Sequence, residues 1–247
     1  MPKTFHEDIK IIKKHHFSRV LRNIFIVLLC ACCVVGAGFV SGVIKVSGGI
    51  KSQNCTNYYF LSMANFDTES DATQFANKLL KVNGAGFVYQ MDSKYHVIGA
   101  TYLNQKDAKS VADNMDSMEY DINIITISIP NTNVPNVYKN NTSVNRAIDE
   151  IKNSINKLYE YCVNLDKSTM SNIQVASLIN ERLASIRACA VELDSVDNSE
   201  FINKLKQVLT TTDTIMEAGM IKILQGNFSL GECKYTLCAV INNLKNS

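Results

Sequence analysis

One stretch of the sequence constrains the fold more than any other. Residues 24–44, IFIVLLCACCVVGAGFVSGVI, contain no charged side chain. At 1.5 Å per residue, a helix of this length is about 31 Å long, which matches the hydrocarbon core of a bilayer. A cleavable signal peptide has a shorter apolar region of about 7 to 15 residues and a small-residue cleavage site. We therefore predict that residues 24–44 form a retained single transmembrane helix.

Charge predicts the orientation of this helix. Residues 1–23 contain six basic and two acidic side chains, a net charge of +4, whereas only Lys45 and Lys51 follow the apolar segment closely. Cytoplasmic flanks of membrane helices are enriched in Lys and Arg. The sequence therefore predicts a single-pass protein of the cell membrane, with a basic cytoplasmic head over residues 1–23 and residues 45–247 on the extracytoplasmic side.

Two patterns in this N-terminal part predict contacts with the lipid bilayer or with a second helix. Gly38 and Gly42 have the small-xxx-small spacing that allows close helix–helix contact in membranes, although a helix surrounded by lipid is the alternative. In the head, apolar residues recur at helical spacing among lysines, which predicts either a basic amphipathic helix on the inner leaflet or a short solvated tail. The positions of this stripe are Phe5, Ile9, Ile12, His16 and Val20.

Composition divides the rest of the chain into two units. Residues 45–57 are rich in Gly, Ser and Asn and have no periodicity, so they are predicted to be a linker. Residues 130–143 contain two of the three prolines and five asparagines, which disfavour helices and central strands. This second linker separates a domain over 58–129 from a helical domain over 144–246.

The periodicity of residues 58–129 changes repeatedly between that of a strand and that of a helix. Tyr59, Leu61 and Met63 alternate with smaller or more polar residues, and Thr68 and Asp71 have the spacing of a helix cap. The predicted elements are a strand over 59–64, a helix over 68–81, a hairpin of strands over 87–90 and 95–102, a helix after Asn104 and a strand over 121–129. The order βαββαβ predicts a ferredoxin-like antiparallel sheet with both helices on one face and the other face free.

Two of these strands resemble those of a known family. Residues 59–66, YFLSMANF, resemble the opening strand of SPOR (sporulation-related) domains, and residues 95–102, YHVIGATY, are similar to their third strand. The resemblance implies a domain that binds peptidoglycan glycan strands at division or sporulation septa. The 20 lysines against five arginines, together with 26 asparagines, indicate a low-GC, clostridia-like bacterium as the source.

The resemblance also implies a binding site. It places Ser62, Asn65 and His96 at the glycan-binding positions of the family. Strand alternation is consistent with this placement, because Ser62 and His96 then lie on the face opposite Tyr59 and Leu61. A solvated sheet face without a ligand is the alternative.

The helical domain is predicted from stripes of apolar residues at alternating spacings of four and three. Four helices are expected, with turns over 166–171 and 194–199, and with Ser229 and Glu232 as the capping box of the last helix. An antiparallel bundle is the simplest packing. The stripes form either an internal core or a surface for an unknown protein partner. They include Val144, Ile148, Ile151, Ile155, Leu158, Ile179, Leu183 and Ile186.

No catalytic motif, cofactor motif or metal-ligand spacing occurs in the sequence. Three of the four histidines are in residues 1–23, no CxxC is present, and no phosphate-binding glycine motif is present. Buried thiols are the favoured interpretation of the cysteines, and a disulfide between Cys162 and Cys189 is the alternative. Residues 52–247 carry 17 basic and 21 acidic groups, so nucleic-acid binding is not predicted.

Together these features predict an α+β protein with a single transmembrane helix, a ferredoxin-like SPOR module and an all-α helical bundle. The predicted function is a membrane-anchored, non-enzymatic peptidoglycan-glycan-binding protein at the division or sporulation septum, without cofactor or metal. The alternative is a structural subunit of an envelope or sporulation complex that uses the α/β module for protein contacts.

Overall fold

A computed structural model of the chain describes residues 55–115 and 122–247. The predicted cytoplasmic head, the predicted transmembrane helix over 24–44 and the proposed helix contact at Gly38 and Gly42 lie outside the described residues. Within the described residues, no helix combines the length and apolar character needed to cross a bilayer.

The N-terminal part of the described chain forms a four-stranded antiparallel sheet with two helices. Along the chain the elements are β1 (Cys55–Phe66), α1 (Glu69–Leu80), β2 (Phe87–Met91), β3 (Lys94–Tyr102), α2 (Gln105–Met115) and β4 (Asn123–Pro130). The strand order is β2-β3-β1-β4, with the long strand β1 paired to both β3 and β4. Because β1 and β3 are central, residues on these two strands occupy the middle of both sheet faces.

Local hydrogen bonds explain where these elements begin and turn. The Thr68 side chain accepts a hydrogen bond from the backbone N–H of Asp71 at the start of α1, and Asn104 does the same for Asp107 at the start of α2. The β2–β3 hairpin turns through Asp92 and Ser93, which both have positive φ angles, as a tight two-residue hairpin requires.

Four longer helices follow: α3 (Thr142–Asp166), α4 (Asn172–Asp194), α5 (Glu200–Gln225) and α6 (Ser229–Lys245). Each packs on the next, and α6 closes the bundle against α3. Ser171 and Gln174 form a capping box at α4. The capping box predicted for Ser229 and Glu232 is not formed, because the Ser229 hydroxyl instead donates to the carbonyl of Ile223 at 3.0 Å.

The predicted fold class is wrong. The described chain is mostly helical with a small sheet, and that sheet is not a separate ferredoxin-like module with one free face. Tyr58, Phe60, Ile98, Ile125 and Ile127 belong to the same hydrophobic core as the bundle helices. The physical reason is that the sheet has apolar side chains at period two on both faces, so a second layer must cover the face that α1 and α2 leave open.

Helix α6 provides much of that cover. The rings of Phe87 and Tyr235 are 5.4 Å apart between centroids, and the Lys234 ammonium donates to the carbonyl of Asn83 at 3.1 Å. Thr101 Oγ1 and Cys238 Sγ are 3.1 Å apart, and both side chains are buried. These contacts bring residues of β2, β3 and the turn after α1 against a single helix at the end of the chain.

The opposite face has its own, smaller core. Leu61, Met63 and Val97 are fully buried there. They pack with α1 and α2, whose buried residues are Ala72, Ala76, Leu79, Ala108, Val111 and Met115. The sheet is therefore the middle layer between one pair of helices and the bundle.

Candidate functional site

The three residues predicted to bind glycan lie next to one another on β1 and β3. Ser62 is opposite Ile98 in the strand register, and Asn65 is opposite His96. A β-bulge between Ser62 and Ala64 shifts the alternation of β1, which brings Ser62 and Asn65 onto the same face. This is the face that Phe60 and Ile98 share with the bundle, so the predicted cluster exists but its face is not free.

The Ser62 side chain hydrogen-bonds to His96 and to nearby backbone. Ser62 is 0% exposed and His96 is 8% exposed, while Asn65 is half-buried. The Ser62 hydroxyl donates to the carbonyl of Ala64 at 3.2 Å, and its oxygen lies 3.3 Å from Nδ1 of His96. Because a hydroxyl has one proton, the Ser62 oxygen accepts from the Nδ1–H of His96 in this arrangement. Ser62 therefore presents no exposed polar atom to a sugar, and the role of the three residues in glycan binding stays a prediction.

Sequence reasoning missed a groove between the edge of the sheet and the bundle. It has a volume of about 450 Å³ and is open at one side. Tyr58 and Ile129 contribute from the sheet, and the charged side chains are Lys152, Lys204 and Lys245. The uncharged polar residues of the lining are Thr56, Asn131, Thr132, Asn133 and Ser247. The apolar residues that line it from the helices are Ile148, Ile151, Ile155, Phe201, Leu205, Val208 and Leu244. The sequence signal that could have indicated this groove is a lysine within the apolar stripe of each of two helices, Lys152 on α3 and Lys204 on α5.

A smaller polar pocket adjoins this groove. It has a volume of about 190 Å³ and shares Lys204, Val208 and Ser247 with the groove. The amide nitrogen Nδ2 of Asn243 is buried there and has no hydrogen-bond partner among the described residues. Buried polar atoms are rarely left without partners, so this donor needs an explanation.

The cysteines in the bundle are buried thiols, as the sequence predicts. Burial raises the pKa of Cys238 to about 12, despite the opposing hydrogen bond from Thr101, and burial also raises the pKa of Cys162 and Cys189. Cys162 Sγ is 3.3 Å from Sγ of Cys233, so its neighbouring thiol is Cys233 and not Cys189. Thiols with raised pKa values are poor nucleophiles at neutral pH.

No group of three or more potential metal ligands occurs within residues 55–115 and 122–247. The predicted absence of enzyme activity, metal and cofactor concerns the whole chain and stays a prediction.

Comparison with known proteins gives little similarity. No protein-family model matches the sequence, and no curated protein matches it. Among solved structures, the chain is similar to the peptidoglycan binding domain of the B. subtilis cell wall lytic enzyme CwlC, with 18% identity and a TM-score of 0.24. The match covers 34% of this chain and 98% of that domain. A likeness with a TM-score this low assigns neither a fold nor a binding activity to this chain.

Proposed function

We propose that this protein is a non-enzymatic structural subunit of a cell-envelope or sporulation complex, which uses the sheet and the bundle together to contact other proteins. The supporting observation is the packing of the bundle on the second face of the sheet. Phe60, Phe87 and Ile98 lie in a core shared with the helices. A glycan strand that needed this face would have to displace α6, at the cost of exposing that core.

An exposed apolar surface at one end of the bundle supports protein contacts. Ile173, Ile221 and Leu224 are 68%, 51% and 49% exposed. They lie where α4 begins and α5 ends, and the Asn172 side chain bridges these helix ends by donating to the carbonyl of Ile223 at 3.4 Å. Clustered exposed apolar residues, unlike single ones, are typical of interaction sites.

The proposal also includes the location of the protein in the cell envelope. In it, residues 24–44 anchor the chain in the cell membrane, residues 55–247 lie on the extracytoplasmic side, and the complex acts at the division or sporulation septum. The support is the uncharged 21-residue segment and the net charge of +4 before it.

Binding of peptidoglycan glycan is the second candidate function. It is favoured by the resemblance of residues 59–66 and 95–102 to SPOR domains and by the position of Asn65, which is half-buried near the end of β1. In this case a glycan would contact the sheet at Asn65, at the end of the covered face, and would not reach Ser62.

One binding experiment separates the two functions. The full chain, carried in phosphatidylcholine nanodiscs, is sedimented with purified glycan strands that lack stem peptides, alongside the variants Asn65→Ala and Asn77→Ala. Asn77 is an exposed asparagine on α1 and serves as the matched control. We expect no saturable sedimentation of any variant. The second proposal would replace the first if the wild-type chain bound glycan saturably and two further results held. Asn65→Ala would weaken this binding by about tenfold, and Asn77→Ala would leave it unchanged.

A cross-linking experiment tests the protein-contact surface directly. A photoreactive phenylalanine at position 221 should cross-link to one defined protein in living cells, whereas the same group at position 109, exposed on α2, should not. Equal cross-linking from both positions would contradict a specific contact at the end of the bundle.

A further inference from the structure

The groove beside β4 is built from two helix faces with the same pattern. On α3, Ile148, Ile151 and Ile155 are buried and Lys152 is exposed among them. On α5, the apolar side chains of Phe201, Leu205 and Val208 surround the exposed Lys204 in the same i, i+3, i+4, i+7 spacing. Each helix therefore presents an apolar wall with a single ammonium group at its rim.

The charged side chains that line the groove are all lysines. In the described part of the chain, neither Lys152 nor Lys204 has an ion-pair partner, and no Asp or Glu lines the groove. Nearby lysines on the same two helices are paired: Lys157 with Glu160 at 2.7 Å, and Lys206 with Asp194 at 2.8 Å. The groove therefore has local charge complementarity for an anion.

A third ammonium group lies at the same rim. Lys245 Nζ is 4.9 Å from the ring centroid of Tyr89 and is hydrogen-bonded to its hydroxyl. These contacts hold the Lys245 side chain at the end of α6 while leaving its charge without a carboxylate partner among the described residues.

The polar pocket continues from the groove at Lys204 and Val208. It contains the unpartnered Nδ2 donor of Asn243, together with the side chains of Gln207 and Thr211. An anionic group placed there would accept hydrogen bonds from Asn243 and Lys204, and charge-assisted bonds of this kind are stronger than neutral ones. The buried donor and the unpaired ammonium group thus point to the same ligand chemistry by independent observations.

We propose that the groove and the polar pocket together bind a single-chain anionic amphiphile. Its alkyl chain lies between the apolar faces of α3 and α5, and its carboxylate or phosphate group lies at Lys204 and Asn243. The combined volume, the apolar side chains along the groove and the polar groups that converge in the adjoining pocket are those of a small-molecule site. The linker before β1 does not match the site, because residues 45–54 contain Lys45, Lys51 and no acidic side chain.

The proposal is tested with defined probes on the full chain in phosphatidylcholine nanodiscs, with empty nanodiscs as the blank. Equilibrium dialysis measures decanoate, decyl phosphate, decanol, decyltrimethylammonium and inorganic phosphate, each below its aggregation concentration. We expect saturable binding of decanoate and decyl phosphate at one site per chain. Decanol should bind about tenfold more weakly, and the cationic amphiphile and inorganic phosphate should show no saturable binding.

Variants separate the recognition of charge from the stability of the fold. Lys204→Met and Asn243→Ala should each abolish the preference for decanoate over decanol while leaving decanol binding in place. Val208→Trp, at the junction of groove and pocket, should weaken both probes by about tenfold or more. Lys109→Met, an exposed helical lysine outside the groove, is the matched control and should change nothing. Unfolding midpoints from circular dichroism identify any variant whose fold is altered.

Several outcomes would overturn the proposal. These are no saturable decanoate binding, equal binding of the cationic amphiphile, or an unchanged decanoate preference in folded Lys204→Met. Binding of inorganic phosphate as tight as that of decyl phosphate would indicate an ion site that does not use the groove. Saturable binding of an acidic amphipathic peptide without binding of decanoate would assign the groove to a protein partner. None of these results depends on whether the protein-contact surface at Ile221 is correct.

Discussion

The two faces of the sheet are buried by different kinds of partner. On one face, Leu61, Met63 and Val97 pack against α1 and α2, which lie between the strands in sequence. On the other face, Phe60 and Ile98 share a core with the bundle, and side chains as far apart as Thr101 and Cys238, separated by 137 positions, are in contact. The first face is thus closed by local connections and the second by long-range ones.

This difference shows how apolar alternation is to be interpreted. Tyr59, Leu61 and Met63 indicate one buried face, and the partner for that face follows immediately in the sequence. Tyr58 and Phe60 also indicate a buried face, but their partner begins only at Thr142. A strand with two apolar faces predicts a covered sheet, although it does not identify the covering element.

The largest expected effect comes from truncating a ring on the long-range face. Phe60→Ala should lower the free energy of unfolding by about 3–5 kcal/mol, because Phe60 is fully buried and its removal leaves a cavity. Hydrogen exchange should become faster in α6 as well as in the strands. Leu61→Ala is the matched variant on the local face, since Leu61 is equally buried. If the amide protons of α6 exchanged in Phe60→Ala as slowly as in the wild type, the sheet and the bundle would not unfold as one cooperative unit.

The second prediction loosens the bundle helix that covers the sheet. A Cβ added at Gly219 on α5 would lie 2.0 Å from Oγ1 of Thr236 on α6. Overpacking typically costs about 1–3 kcal/mol, which exceeds the gain of roughly 0.5–1 kcal/mol from replacing a helical glycine by alanine. We expect Gly219→Ala to be less stable by about 1–2 kcal/mol in urea unfolding. The double variant with Thr236→Ala should recover part of the loss, and no recovery would place the clash elsewhere.

The third prediction concerns the polar pair within the long-range face. Ser62→Ala should cost about 1 kcal/mol, because it removes the hydroxyl that binds Ala64 and leaves Nδ1 of the buried His96 without this partner. Ser128→Ala is the control, since the Ser128 hydroxyl bonds to Asn57 at an exposed position of β4. Equal stability losses in the two variants would indicate that Ser62 is solvated, as on a free face.

The smallest expected effect is a pH dependence of stability. It arises from the hydrogen bond between Tyr138, in the segment that joins the sheet to the bundle, and Asp197. Hydrogen bonds from Tyr138 and Ser199 hold the pKa of Asp197 below its ordinary value of 3.8, and the bond to Asp197 raises the pKa of Tyr138 above 10.0. A lowered carboxyl pKa contributes stability that is present above about pH 4 and lost as pH falls through the folded value. The raised pKa of the Tyr138 phenol contributes stability that is present below about pH 10 and is lost as the pH rises through the folded value.

Tyr138→Phe should therefore lower the unfolding midpoint slightly near pH 7, and the difference from the wild type should disappear in strong acid. Thermal unfolding followed by circular dichroism from pH 2 to 8 measures this effect. A difference that persists at the lowest pH would be due to hydrogen bonding of the hydroxyl that does not depend on the Asp197 charge, such as its bond to Ser199 at 2.9 Å, because Phe keeps the ring that stacks on Phe201.

Elements defined by neighbouring residues were predictable. The cap at Thr68 and the helix that follows it depend on a hydrogen bond between residues three positions apart. The stripes at Ile148, Ile151 and Ile155 correctly indicate a helix with one buried face. The cap at Ser229 was not predictable in the same way, because its hydroxyl found a carbonyl of the preceding helix.

The sequence by itself determined the positions of the helices and strands and the apolar character of their faces, because caps, turns and periodicity act within a few residues. Only the tertiary structure decided that the bundle covers Phe60 and that Cys162 lies beside Cys233. It also decided that Lys152 and Lys204 line one groove, with Asn243 in the polar pocket beside it. These outcomes depend on which distant apolar surfaces close against each other. Many pairings bury similar area, so composition and spacing along the chain do not distinguish among them.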